Sequence, residues 1–413
     1  MPLSCSDLTD LDIHEIIEKE SIVTRFQPLI SLKRGSIFGF EALSRGLVPG
    51  SGVTIPPQAL FSLAEDMETR LALDRVCRKK ALESFAPLHE RNRALMVSIN
   101  IDASVINDVS VGSQVLLKQL KASGVSANNV IVEIIESRAT SIEALMTFVA
   151  YYQKHGFLIA LDDVGAGHSN LDRIPMLQPD ILKIDRSLVT GVHEHFHKLE
   201  VVKSFVKMGG RLGSLVLAEG VETREEILAL MECGLDVFQG FYFGRPGTGD
   251  DDRSGTSARI HEISTQFKTH TMERINAEKR MFSMYDSLIR SICAELTASC
   301  GNNMDARLTA FIDLHPNIEC LYVLDMEGRQ VSGTICNPDR LQKSKRLIYE
   351  PACIGADHSL KEYYLPIRAG LSKYTTEPYI SLASGNRCIT ISCVYTDPSG
   401  DRRILCTDIA HLF

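Results

Sequence analysis

Two adjacent carboxylates, Asp162 and Asp163, close the apolar run Leu158-Ile-Ala-Leu and open onto Val-Gly165-Ala-Gly167. A run of this kind reads as a buried parallel strand, although a buried helix turn shares the pattern. Paired aspartates at its end have two uses: capping the next helix, or holding cations at a loop mouth. The placement recurs. Glu41, Asn100, Glu133, Lys183, Glu219 and Gln239 also stand at or near the C-terminal ends of apolar segments. Each alone is equally a cap or a surface charge. Brought to one mouth without cations, the carboxylates would repel one another and their pKa values would rise. Oxygen donors with an Asn carbonyl among them suit magnesium or manganese rather than zinc, so the set reads as a binuclear hard-metal site.

The elements that must position these groups follow from the pattern between them. After a helix-like lead-in over 8–20, residues 22–30 and 37–43 read as strands. The link Leu32-Lys-Arg-Gly35 is too short for a crossover helix, so the two should be antiparallel. Helical segments near 57–65 and 68–86 precede the strand 95–100. Strands at 130–136, 158–163, 181–185, 215–219 and 237–239 follow, with helices near 141–155, 187–210 and 223–233. Eight strands, the last six alternating with helices, predict an α/β fold: a closed TIM-like (β/α)8 barrel with one antiparallel strand. An open doubly wound sheet is the competing architecture. In a barrel the polar strand ends converge where the chemistry of this architecture occurs.

A chain of 413 residues has room for two or three domains, and 44% apolar with 23% charged residues leaves no large disordered share. The net charge of -8 argues against a nucleic-acid polymer as partner, since that needs clustered Lys and Arg. It permits a phosphate substrate if bound cations supply the positive charge. Eleven cysteines, eight of them between Cys293 and Cys406, include no Cys-x-x-Cys pair, and zinc-ligand spacing is absent. With no signal-like start and no membrane-length apolar run, the expectation is a cytoplasmic protein without a membrane partner. Its cysteines then act mostly as small buried apolar residues.

From about 22 to 247 the chain resembles the EAL-domain cyclic di-GMP phosphodiesterases. The matches are Phe26-Gln27-Pro28, Glu41-Ala-Leu-Ser-Arg45, Ser98-Ile-Asn100, Glu133-Ile-Ile-Glu136-Ser, Asp162-Asp163-Val-Gly-Ala-Gly, Lys183-Ile-Asp185, Ala218-Glu219-Gly-Val-Glu222-Thr, Gln239-Gly-Phe and Arg245-Pro. The resemblance implies hydrolysis of cyclic di-GMP to linear pGpG with two divalent cations, Mg2+ or Mn2+, calcium filling such sites but supporting catalysis poorly. It implies Glu41, Asn100, Glu133 and Asp162 as ligands of the first metal, Asp162 bridging to the second and Asp163 binding the second. Glu219 corresponds to the general base or a further metal contact, and Lys183 to the group that holds the attacking water and the scissile phosphate's charge. Arg45 corresponds to a substrate contact, and Glu136 to the residue that tethers the loop after Asp163. Gln27, Asp185, Glu222, Gln239 and Arg245 are supporting or substrate-binding positions. Val164, Phe241 and Gly46 depart from the usual family residues, the first two mildly, the third where guanine packs. A receptor that binds cyclic di-GMP without cutting it is the alternative.

Gly247-Thr-Gly-Asp-Asp-Asp-Arg-Ser-Gly255 marks a boundary by composition. The expected domains are the barrel over 1–250, a linker and long coupling helix over 251–300, and a third domain over 301–413. Ile260, Ile263 and Phe267, then Phe282, Tyr285, Ile289, Ile292 and Leu296, are spaced for a helix with a register break near 270–281. A homodimer joined through this helix is the expectation. About five antiparallel strands after it predict an α+β domain. It resembles the Cache/PAS-like domains, on Pro316-Asn-Ile-Glu319, Asp325-Met-Glu-Gly328, Lys361-Glu-Tyr-Tyr364, Glu377-Pro-Tyr379 and Asp408-Ile409. If it holds a small-molecule ligand, Lys361, Tyr363, Tyr379 and Asp408 are the candidate contacts, because such pockets combine aromatic walls with a few placed polar groups.

Overall fold

The computed structural model describes residues 11–48, 52–106, 114–135, 141–166, 171–251, 253–298, 304–341 and 350–410. They fall into two compact units, Met1–Thr271 and Met272–Phe413.

The first unit is built on strands β1 (Ile22–Ser31), β2 (Ser36–Leu47), β3 (Thr54–Ile55), β4 (Met96–Ile101), β5 (Val130–Ile134), β6 (Leu158–Val164), β7 (Ile181–Ile184), β8 (Leu215–Ala218) and β9 (Val237–Phe238). Their order is β1-β9-β8-β7-β6-β5-β4-β2-β3, and the pairing of β1 with β2 closes eight of them into a barrel. The doubly wound alternative is thereby excluded. Strand β1 runs antiparallel to both neighbours, while β2 and β4 through β9 are joined in parallel around the ring. The short β3, which the pattern of the sequence did not suggest, hangs on the end of β2.

Two apolar layers hold the barrel. Inside it, Leu29, Ile131, Ala160, Ile181, Leu217 and Val237 pack together. Outside, Val132, Ile134, Ile159, Leu161, Leu182 and Ile184 meet the surrounding helices. The alternation is the period of two that a strand imposes. The segment expected as one helix over 187–210 is two, Arg186–Val189 and Phe196–Leu212. Gly191 at φ +66° turns the chain between them, a conformation that glycine adopts without a Cβ clash.

One helix runs unbroken from Arg253 to Ala298. The register break near 270–281 is a break in the apolar stripe only. Ile260 and Ile263 belong to the barrel core, Ile289, Ile292 and Leu296 to the cores of the second unit, and residues 272–280 between them are exposed.

The second unit is α+β. Its strands are β10 (Ile318–Leu324), β11 (Ile335–Cys336), β12 (Lys373–Thr375), β13 (Tyr379–Ile380), β14 (Arg387–Thr396) and β15 (Arg402–Ala410). They form one antiparallel sheet in the order β11-β10-β15-β14-β12, with β13 on β14. After Gly328 the chain makes two isolated bridges, Leu324 to Gln330 and Arg329 to Asp357, rather than the second strand of a hairpin. Strand β13 stops at Ile380, because Ser381 N–H donates to Asn386 O at 2.9 Å and turns the backbone.

Candidate active site

The polar strand ends do converge, and the strand period explains how. Moving two residues on from each interior apolar side chain keeps the same face. Ile131 leads to Glu133, Ala160 to Asp162, Ile181 to Lys183, Leu217 to Glu219 and Val237 to Gln239. On antiparallel β1 the count runs backward, from Leu29 to Gln27, which lies directly opposite Glu41. Two residues before Glu41 stands Gly39, where an added Cβ would lie 2.7 Å from the Met96 carbonyl oxygen. A side chain there would force β2 and β4 apart beneath the site.

Lys183, 1% exposed, is the hub. Its Nζ lies 2.9 Å from Glu133 Oε1 and 3.2 Å from Asp162 Oδ1, and it also pairs with Glu219. Ser98 Oγ donates to Glu133 Oε1 at 2.5 Å. Asn100 Nδ2 donates to Glu41 Oε1 at 3.0 Å, which leaves the amide oxygen as the available ligand atom. Gln239 Nε2 donates to Gln27 Oε1 at 3.0 Å and to Glu41 Oε2. Glu219 and Gln239 stand one residue past their strands. The backbone keeps both in the ladder, Glu219 N–H to Ile184 O at 3.1 Å and Gln239 N–H to Ala218 O at 2.9 Å.

Consecutive strand residues ordinarily face opposite ways, so Asp162 and Asp163 could not both reach the mouth from a regular β6. The pairing of β6 with β7 shifts register between Leu161 and Val164, and Asp163 adopts φ +56°. This irregularity brings the carboxylates of Asp162, Asp163 and Glu219 within 4.8 Å of one another. A non-glycine residue held at positive φ costs on the order of 1–3 kcal/mol, and such strain clusters at functional sites.

Burial alone would lower the pKa of Lys183, but Asp162, Glu133, Glu219 and Glu41 outweigh it and hold the ammonium well above its usual range. Burial also works against a charged Glu41. The charge of Lys183 and the hydrogen bonds from Gln239 and Asn100 overcome it and keep Glu41 below the usual carboxylate range. Glu133 goes well above that range, through burial and then the charge of Glu41. Glu219 is pushed up to about 8 by burial, with Asp162 and Glu41 adding to the effect and Lys183 opposing it. One ammonium among these carboxylates therefore leaves Glu133 and Glu219 raised. Glu133 Oε2 is buried with no hydrogen-bond partner. Orphaned carboxylate oxygen, raised acids and an all-oxygen donor set fit hard divalent cations.

Beside Glu41 and Asn100 opens a cavity of about 520 Å³, lined also by Phe61, Arg70, Asp74 and Arg78. Asp74 and Arg78 form a buried ion pair at 2.9 Å, and Arg70 stands 3.9 Å from Asp102. The sequence reading passed over these three residues. The opposite charges of Asp74 and Arg78, four apart on the helix Met67–Arg91, were the available signal.

Other expected site residues lie outside the network. Arg45, half-buried, donates from Nη1 to Ser44 O at 2.9 Å. Asp185 caps the helix Arg186–Val189 by accepting from Ser187 N–H. Glu222 pairs with Arg186 at 2.9 Å, and Arg245 lies over the Phe241 ring at 4.3 Å. Glu136 lies outside the described residues. In the second unit Lys361, Tyr363, Tyr379 and Asp408 line one cavity of about 550 Å³.

A closed barrel with one antiparallel strand, and carboxylates at its mouth around a buried lysine, defines a class of α/β-barrel proteins with an oxygen-rich cation site. The EAL domain model matches residues 11–246, and the chain belongs to that family. The Bacillus subtilis EAL-domain containing protein YkuI is 25% identical over 416 residues, 98% of each chain. Its crystal structure, in complex with substrate c-di-GMP and calcium, matches at a TM-score of 0.80 and 24% identity, covering 98% of this chain and 100% of that one. The likeness of fold thus runs through the second unit as well. The Escherichia coli cyclic di-GMP phosphodiesterase PdeR is 28% identical over 239 residues, 57% of this chain but only 36% of PdeR. Among the described residues, no helix is long and apolar enough to cross a membrane.

Proposed function

We propose that the protein is a metal-dependent phosphodiesterase that hydrolyses cyclic di-GMP to linear pGpG. The observation that carries this reading is the network around Lys183, in which every expected strand-end ligand is present. Glu41, Asn100, Glu133 and Asp162 would hold one cation, and Asp162 with Asp163 a second, Mg2+ or Mn2+. Bound there, the cations would supply positive charge to the phosphoryl oxygens and acidify a water. The chain does the rest. Lys183, protonated throughout, sets a fixed charge where the phosphoryl group gains negative charge. Glu219, beside Asp162 and Asp163, takes the proton as the water oxygen bonds to phosphorus. The phosphorus–O3′ bond breaks, and the departing oxygen takes a proton from solvent water to become the 3′-hydroxyl of pGpG. The cavity beside Asn100 receives a guanine, with Asp74 and Arg78 as polar contacts.

The second unit, in this reading, is a Cache/PAS-like regulatory domain, supported by its antiparallel sheet and by Lys361, Tyr363, Tyr379 and Asp408 around one cavity. A homodimer through the helix Arg253–Ala298 is supported by the exposed Met272, Ile275 and Phe282 on it. The nine described cysteines are all free thiols, which suits the reducing cytoplasm. The test is turnover of cyclic di-GMP by the purified chain with Mg2+, after binding has been established with Ca2+. Saturable binding without pGpG would instead make the protein a receptor.

A further inference from the structure

The cavity of the second unit has a chemical bias of its own. Asp408 on β15 is 2% exposed and lines it. Thr390 Oγ1 donates to Asp408 Oδ1 at 2.7 Å. With that hydrogen committed, Thr390 Oγ1 must accept from Tyr379 O–H, 2.6 Å away. A directed chain of donors thus points from Tyr379 toward a carboxylate. Its other oxygen, Oδ2, has only a long bond from Ser381 Oγ at 3.4 Å. No cationic side chain among the described residues stands within ion-pair distance of Asp408.

His358 cannot supply the missing charge. Gln330 Nε2 already donates to Ser332 O at 2.9 Å and to Thr334 Oγ1 at 2.8 Å. Gln330 Oε1 is therefore the acceptor for His358 Nε2–H at 2.9 Å. The remaining nitrogen, Nδ1, lies 2.6 Å from the Tyr363 hydroxyl and accepts from it when the ring is neutral. The ring is neutral in that arrangement, as its burial favours. Among the described residues the lining carries Glu350, Asp357 and Glu362 against the ammonium of Lys361, and Tyr322, Tyr363 and Tyr379 form aromatic wall.

We propose that this cavity binds a small organic cation, an alkylammonium whose charged head seats on Asp408 Oδ2 against the tyrosine rings. A buried carboxylate without a cation gains most from a ligand that supplies one, and aromatic faces attract the same charge. Thr390 donates to Asp408, and a ligand that brings positive charge favours the ionised carboxylate, which an anionic ligand would not do. The volume of about 550 Å³ exceeds what one metal ion needs and falls in the range of organic ligand sites.

The test uses the full chain in titration calorimetry with methylammonium, putrescine and choline, beside acetate and the neutral carbon isostere of choline. At least one amine should bind saturably, with a Kd of about 1 mM or tighter, while acetate and the isostere give no saturable heat. Asp408→Asn, which preserves the shape of the site, should weaken that amine ~10-fold or more. Lys361→Gln, which removes the rim cation, should tighten it severalfold, an effect that misfolding would not produce. Absence of binding by all three amines would overturn the proposal. So would equal binding of the isostere, preference for acetate, or an Asp408→Asn protein of wild-type melting temperature that retains full affinity.

Discussion

Lys183 carries the most interactions of any single site residue, and removing it tests how the network is balanced. Lys183→Met leaves Glu133, Asp162 and Glu219 facing one another in a buried mouth. Breaking a buried pair from one side costs about 3–5 kcal/mol, so the melting temperature should fall, and Mg2+ should recover part of the loss because it replaces the missing charge. A melting temperature unaffected by either change would contradict the network. In the second unit, burial with the neighbouring Glu319 raises the Asp408 carboxyl to about 7, from an ordinary 3.8. Between those two values the unfolded chain has lost this proton and the folded chain keeps it. The contribution of Asp408 is therefore fully present below the lower value and is lost as pH rises through the upper one, on the order of 3–4 kcal/mol in all. Urea unfolding of the second unit should show stability falling with pH across that window, and Asp408→Asn should flatten the slope; equal slopes would refute this. At this scale the sequence was informative wherever the period of two ran on unbroken, as in Ile131 to Glu133 or Ile181 to Lys183. It named Asp163 without showing how the side chain reaches the mouth, which depends on a backbone irregularity, and it did not single out Asp74 and Arg78, which the fold buries.

At the scale of elements, the barrel strands were legible because each buries both faces and so reads as an apolar run closed by a polar residue. Elements fixed by turns rather than by burial were not: β3, the break at Gly191, and the short β13 that Ser381 ends. The helix Arg253–Ala298 lies between these cases. Its ends follow the apolar spacing, but its middle is exposed and carries Met272, Ile275 and Phe282 into solvent. If these residues join two copies, Ile275→Glu with Phe282→Glu should convert a dimer to a monomer in sedimentation analysis, with the secondary structure unchanged. A wild-type chain that already sediments as a monomer would exclude the dimer.

For the molecule as a whole, the barrel unit extends past the glycine- and aspartate-rich stretch after Pro246, because Ile260 and Ile263 are buried in its core at 3% and 0% exposure. A fragment ending at residue 250 should therefore be less stable than one ending at Thr271, by roughly 3 kcal/mol or more for the two side chains. Calorimetry of the two fragments checks this, and equal melting temperatures would contradict it. The comparison also bears on regulation, since a shorter fragment that turns over slowly because it is unstable says nothing about the second unit. Chemistry at the mouth of the barrel is read most directly by chromatographic detection of pGpG from cyclic di-GMP and Mg2+, with wild-type chain and Asp162→Asn in parallel. The wild type should form pGpG steadily, and the variant should lose ~100-fold or more, as for removal of a charge that acts in the transition state. Tight binding with no pGpG from the wild type, or equal turnover by the variant, would contradict that chemistry.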